Sequence, residues 1–240
     1  MTLAPIELEQ LAIAFIPALL VVVLMWRWQL NYRKALYGMA RMLTQLLLIG
    51  YVLIYIFQAD SSPIVMAVLA VMLIASSWIA LGSIETRRSS MLGASFTAVL
   101  LGAGSMLLLI SQGVLQLDPW YEPRYLIPLA GMLFAHAMNN VSLAAERYFA
   151  ELANGNSNED AARIAFQAAL IPVVNSLFAV GLVSLPGMMT GQILSGVSPF
   201  IAARYQIMVM CMLFGSSGLT TAMFLYLIRR RQSLSRISGG

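Results

Sequence analysis

Seven stretches of this chain are each long and apolar enough to cross a lipid bilayer. A helix needs about 20 apolar residues to traverse a hydrocarbon core of roughly 30 Å. The stretches lie near residues 8–26, 39–57, 63–81, 92–111, 126–145, 170–194 and 205–228. Between and beyond them the chain is poor in charge: only 10% of its residues are charged, and 60% are hydrophobic. Soluble domains carry about 25% charged residues. With a mean hydropathy of +0.82, the outer surface has to face lipid. The apolar runs are continuous, whereas barrel strands alternate over about ten residues. The expectation is an all-α integral membrane protein, a single transmembrane domain over residues 1–240.

The basic residues give the orientation. Arg27, Arg33, Lys34, Arg41, Arg87, Arg88, Arg147, Arg163, Arg229, Arg230, Arg231 and Arg236 fall on one side of the seven stretches, and Arg124 and Arg204 on the other. Basic loops stay in the cytoplasm, so the N-terminus is expected outside and the C-terminus inside. The +4 net charge then reports topology, with no nucleic-acid partner implied. Trp26, Trp28, Tyr32, Trp120, Tyr121 and Tyr125 fall at the expected interfaces, as an aromatic belt would. The first stretch is read as a retained span, because Glu7 and Glu9 precede it and no small-x-small cleavage site follows. The single cysteine, Cys211, allows no internal disulfide and no cysteine metal cluster. It reads as a small apolar residue of the last span.

The only polar segment of any length on the cytoplasmic side joins spans five and six, near residues 146–169. It reads as two short helices around a turn. Ala145, Tyr148, Phe149 and Leu152 repeat with helical spacing, and Asn154-Gly155 is a helix-ending pair. Ser157-Asn158-Glu159-Asp160 resembles a capping box opening a second helix, with Ala161, Ile164, Ala165 and Ala168 on one side and Glu159, Arg163 and Gln167 on the other. Such a pair is either an interfacial element lying in the headgroups or a docking surface for a soluble protein. The polar face is of mixed sign and poor in Lys and Arg, which favours a protein. Candidate docking residues are Glu146, Arg147, Phe149, Glu151, Asp160, Arg163 and Phe166.

Polar side chains at membrane depth mark either interhelical hydrogen bonds or a transport pathway. In span five His136 and Asn140 are one turn apart, with Asn139 beside them. Arg41 and Gln45 are one turn apart in span two, Arg41 close enough to the inner interface to snorkel. Spans six and seven add Asn175, Ser184, Gln192 and Gln206. The candidate pathway residues are Gln45, His136, Asn139, Asn140, Asn175, Met188 and Gln206. His136, the only histidine, is the one candidate for ligand contact, metal binding or proton handling.

Residues 184–191, Ser-Leu-Pro-Gly-Met-Met-Thr-Gly, should break a helix at Pro186-Gly187, since proline removes an amide donor. Irregular backbone at this depth lines a cavity or is buried in protein. Gly187-x-x-x-Gly191 reads equally as a close helix-packing face. Met188, Met189, Met208, Met210 and Met212 are soft thioether donors that suit copper, or apolar filling.

The chain contains no G-x-x-x-x-G-K-[ST] and so no P-loop for ATP. Gly215-Ser216-Ser217-Gly218 is similar to the G-x-S-G nucleophile motif of rhomboid-type intramembrane proteases. Its histidine, however, would have to be His136, which precedes the serine rather than following it.

Several stretches resemble the FetB family of ABC-transporter permeases. Arg41-Met-Leu-Thr-Gln45-Leu-Leu-Leu-Ile-Gly50-Tyr51-Val-Leu fits R-x-x-x-Q-x-x-x-x-G-Y-V-L, and Ile127-Pro128-Leu-Ala-Gly131-Met132 fits I-P-x-x-G-M. Ala168-Ala-Leu-Ile-Pro172, the block Val180-Gly-Leu-Val-Ser-Leu-Pro-Gly-Met-Met189 and Tyr205-Gln206-Ile-Met complete the match, over residues 38–228. The resemblance implies a permease that pairs with a separate ATP-binding subunit, two of each, with ATP and Mg held by that partner and no cofactor on this chain. It implies a bacterial inner-membrane location, iron export in bacterial members, aluminium tolerance in plant relatives, and ATPase docking by the segment between spans five and six. Three features depart from the pattern. The family's G-N-A-M is Ala135-His136-Ala137-Met138 here. Its usual Asp and Lys after A-L-I-P are Asn175 and Phe178. The cytoplasmic segment is shorter and lacks a clear L-G-A. The expected function is the permease subunit of an ABC exporter moving a metal ion, iron by the resemblance, or a small solute. A stand-alone secondary transporter or channel and an intramembrane protease are the alternatives.

Overall fold

The computed structural model describes residues 7–58, 61–84 and 88–237; Arg87, among the basic residues that set the orientation, lies outside them. The described chain is helical and falls into two compact units, Met1–Asp60 and Ser61–Gly240. Among the described residues seven helices are long and apolar enough to cross a membrane: Glu9–Arg27, Tyr32–Phe57, Ser62–Ser83, Arg88–Val114, Pro123–Ala153, Asn158–Ala179 and Pro199–Arg231.

In the first unit α1 (Leu8–Ile13) and α2 (Phe15–Arg27) lead to α3 (Tyr32–Gln58). The reversal before α3 uses a left-handed residue, Gln29 (φ 57°). The Asn31 Oδ1 accepts the Lys34 amide at 3.1 Å, closing the first turn of α3. Among the described residues of this unit only Ile56 is buried. Leucine, isoleucine and valine make up much of its exposed surface, with Trp26, Trp28, Tyr37, Tyr51 and Tyr55 among them.

The second unit is a bundle built around α7 (Pro123–Ala153). The other members are α4 (Ser62–Ala80), α5 (Arg88–Val99), α6 (Ser105–Leu108), α8 (Asn158–Ala179), α9 (Gly187–Leu194) and α10 (Pro199–Ile237). The segments Leu100–Gly104 and Leu109–Val114 on either side of α6 are π-helical. Lipid tails give helices no hydrophobic reason to associate, so close approach of small residues does the work. Ala130, Ala137 and Ala144 recur every seventh residue of α7, and Ala161, Ala165 and Ala169 every fourth of α8; all six are fully buried. The first π-helical segment is pressed against α10. A Cβ placed on Gly102 would come within 2.6 Å of the Thr220 backbone nitrogen.

One end of this bundle is basic. The Arg88 guanidinium donates to the Trp78 carbonyl at 2.8 and 3.1 Å and stacks 3.9 Å over its ring. Arg231 donates to the Ser90 carbonyl. The Ser83 hydroxyl reaches the Ser142 carbonyl of α7 at 3.3 Å, which places the far half of α7 at the same end. The asymmetry read from the sequence is therefore a spatial asymmetry within this unit.

Two boundaries differ from expectation. The sixth span begins at Asn158, not near residue 170, and ends at Ala179, so residues 187–194 form the separate helix α9. The two helices expected between spans five and six are the ends of α7 and α8 themselves. Ser157 caps α8 and no glycine follows until Gly181, so the helix runs on through the alanine face. Proline 172 lies inside it, and the Pro172 carbonyl accepts the Ser176 hydroxyl at 2.9 Å.

Candidate functional site

The break after α8 shapes the site. Gly181 takes the left-handed conformation (φ 84°) and its amide donates to the Ser184 carbonyl at 3.0 Å. The chain turns back on itself and re-enters a helix with Pro186 as N-cap and Gly187 first. Pro186 offers no side-chain acceptor, so the opening amides of α9 have no capping partner from it. Nothing lies within 4 Å of a Cβ built on Gly187 or Gly191. These glycines are therefore not a packing face within the chain; the break borders a cavity.

That cavity encloses about 270 Å³. His136 and Met132 line it from α7, Val173 and Ser176 from α8, Pro186 and Met188 from the break and α9, and Gln206 and Met210 from α10. No carboxylate is among its lining residues. Gln206 is buried and its Oε1 has no hydrogen-bond partner. A second, more apolar cavity of about 210 Å³ adjoins it, sharing Met132 and Met188 and reaching Arg124, Tyr125 and Tyr205.

At the basic end a cleft of about 590 Å³ opens between the start of α8 and the end of α10. Glu159, Asp160, Arg163 and Phe166 form one wall, and Leu225, Tyr226 and Arg229 the other. The adjoining α7–α8 turn is closely specified. Gly155 (φ 88°) ends α7 in a Schellman motif: the Asn156 amide bonds to the Glu151 carbonyl and the Gly155 amide to the Leu152 carbonyl, both at 3.1 Å. The Ser157 hydroxyl accepts the Asp160 amide at 3.1 Å and donates to its carboxylate at 2.8 Å. Buried Tyr148 donates to the Asn158 Oδ1 at 3.4 Å, joining the two helices across the turn.

Of the expected pathway residues, His136, Met188 and Gln206 line one cavity. Asn140 is buried one turn from His136, with its Nδ2 unpartnered. Asn139 and Asn175 are exposed on the bundle surface. Gln45 is exposed in the first unit, whereas the cavity is lined entirely by the second. Of the docking residues, Glu146 and Arg147 are exposed and Phe149 is half-buried beside Tyr148. Asp160, Arg163 and Phe166 line the cleft. Glu151 is buried and bound to Arg147 and Asn156, so its carboxylate supports the turn from within. Ser176 was not singled out in the sequence; Met210 entered it only among five thioether donors and Met132 only as the end of the Ile127–Met132 motif, and all three line the cavity. Met132 stands one turn before His136, a spacing that could have revealed it.

Ser216 and Ser217 are fully buried, and neither hydroxyl has a hydrogen-bond partner. The serine–histidine contact that a protease would use is absent among the described residues. Cys211 is exposed on α10.

The model of the Uncharacterised protein family (UPF0014) matches residues 8–232. The chain belongs to this family. It is 35% identical to the UPF0014 membrane protein slr1647 of Synechocystis, covering 91% of each chain. It is 33% identical to the "Probable iron export permease protein FetB" of Escherichia coli, over 95% of this chain and 93% of that one. The Protein ALUMINUM SENSITIVE 3 of Arabidopsis thaliana is 31% identical over 90% of this chain and 84% of the relative. No solved structure matches. The resemblance carried by the Gln45, Pro128 and Pro186 motifs is thus a relationship along nearly the whole chain. With its seven apolar helices, this UPF0014 member is an integral membrane protein.

Proposed function

We propose that this chain is the permease subunit of an ABC-type exporter, a single transmembrane domain driven by a separate ATP-binding subunit that carries ATP and Mg. The observation that carries this reading is the continuity of α7 and α8 from the capped turn to the cavity. His136 lies 17 residues before the end of α7 at Ala153, and Ser176 lies 18 residues after the start of α8 at Asn158. At 1.5 Å per residue, each helix links turn and cavity over about 25 Å. A push on the turn therefore moves both walls of the cavity, in the manner of rigid-body switching. The permease name of the Escherichia coli relative supports the transport role.

In this reading the basic end of the second unit faces the cytoplasm, and the N-terminus lies outside. In a bacterium the membrane is the inner one. The ATPase docks on the α7–α8 turn, with Phe166 and the cleft beside it. Exposed Asn175 at membrane depth, with Phe178 beside it at 78% exposure, supports a second permease copy covering that face, since a polar side chain in lipid is costly. The cargo is a metal ion or small solute held at the His136 cavity.

The test is co-purification. Tagged permease co-expressed with an ABC ATPase should retain it through detergent extraction, and Phe166→Asp should release it. Failure of the unsubstituted chain to retain any ATP-hydrolysing subunit would favour a transporter that works alone.

A further inference from the structure

The His136 cavity has a donor set without an anionic member. Its potential metal ligands are one imidazole, the thioethers of Met132, Met188 and Met210, the side-chain carbonyl of Gln206 and the neutral hydroxyls of Ser176 and Ser184. Thioethers select soft cations, whereas hard ions such as Fe(III) and Al(III) favour carboxylate and other oxygen ligands. No carboxylate lines this cavity or the adjoining one.

Charge points the same way. The cavity walls are neutral, and the opening turn of α9 presents the positive end of a helix. A divalent or trivalent ion would lie there with no counter-charge, and the cost of an uncompensated ion rises with its charge. A monovalent ion incurs the smallest such cost. The Gln206 Oε1, in a side chain only 5% exposed, is an acceptor without a donor. A cation, directly or through a bound water, would satisfy it.

Met132 and Met188 line both cavities, and Met208 lines the second together with Arg124 and Tyr205.

We propose that this cavity is a transport site for a soft monovalent metal cation, Cu(I) in class, held by His136, Met132, Met188 and Met210 with Gln206 beside them. The proposal deepens the permease reading, because it names the cargo.

The test uses the full permease alone, purified in detergent without oxygen and titrated with Cu(I) against a chromophoric Cu(I) chelator. One equivalent should bind per chain. His136→Ala and Met188→Leu should each weaken binding about tenfold or more, given that even outer-shell changes cost metal sites that much. Met212→Leu, at a buried position of α10 that lines neither cavity, should leave binding unchanged. A tenfold excess of Fe(II) should not displace the bound Cu(I). Equal affinity in all variants, or displacement by Fe(II), overturns the proposal. Should the variants aggregate, Ag(I) added to the unsubstituted protein should shield Met132 and Met188 from peroxide oxidation, read by peptide mass spectrometry. Equal oxidation with and without Ag(I) overturns it. No ATPase is present in these assays, so metal binding can fail while ATPase coupling stands, and the reverse.

Discussion

The Arg147 guanidinium lies 2.7 Å from the Glu151 carboxylate, one turn away at the end of α7, and the two side chains differ sharply in exposure, 48% against 7%. The pair is lopsided in its energetics. Arg147 alone can be solvated, but Glu151 alone cannot.

Truncating the two should therefore have unequal effects. Arg147→Ala leaves a buried carboxylate held only by Asn156, a loss of about 2–3 kcal/mol. Glu151→Gln leaves an exposed guanidinium and a neutral amide still able to accept from Asn156, a loss of about 1 kcal/mol. Thermal unfolding of the detergent-solubilised protein checks this. A larger loss for Glu151→Gln would show that the pair is not organised as described.

A glycine series tests the packing of α10. Gly102→Ala drives a methyl into Thr220 backbone, which cannot yield, so a loss of at least about 1–3 kcal/mol is expected. Gly215→Ala meets only the end of the Met106 side chain, its methyl at 2.6 Å and its sulfur at 3.8 Å; that flexible side chain can swing away, and the effect should be small. Gly218→Ala meets nothing within 4 Å and should be near neutral. Detergent-extracted yield and melting temperature rank the three. Equal tolerance of all three would contradict the close approach at Gly102.

Ser217→Ala should leave transport intact and stability unchanged or slightly raised. Its hydroxyl is buried and unpartnered, so its removal discards an uncompensated polar group. Loss of all activity, with the protein still inserted, would bring the protease alternative back.

Topology can be read by labelling single cysteines in a Cys211→Ser background. A cysteine at Asn156, in the exposed α7–α8 turn, should react only with reagent that has access to the cytoplasm. One at Trp120, exposed beyond the opposite end of α7, should react from outside. The reverse pattern would invert the orientation and remove the docking role from the turn.

The seven spans were legible because each is a long run of apolar residues with few charges. Where α8 begins was not. Its first three turns hold Glu159, Asp160 and Arg163 beside small alanines, which read as a surface helix. Only in three dimensions do Ala161, Ala165 and Ala169 prove to be a packing edge against the bundle. The π-helical turns around α6 left no readable signal either. In the site, polarity alone identified His136 and Gln206, and the Pro186-Gly187 break pointed to Met188. It also put Asn139 and Asn175 on the list, because helical spacing does not tell which side of a span meets lipid. Met132 and Met210 were noticed only as a motif end and as one of five thioethers, and neither was placed on the pathway, because a methionine in an apolar span looks like filling until a cavity is seen beside it.

The central claim is that motion of the α7–α8 turn works the His136 cavity through a partner's ATP hydrolysis. Reconstituting permease and ATPase in liposomes and measuring ATP turnover with and without cargo tests it most directly. The account predicts cargo-stimulated turnover that falls to the unstimulated level in His136→Ala and in Phe166→Asp, the first with the complex intact and the second with the ATPase released. Cargo flux that proceeds at full rate with no ATPase in the membrane would contradict it.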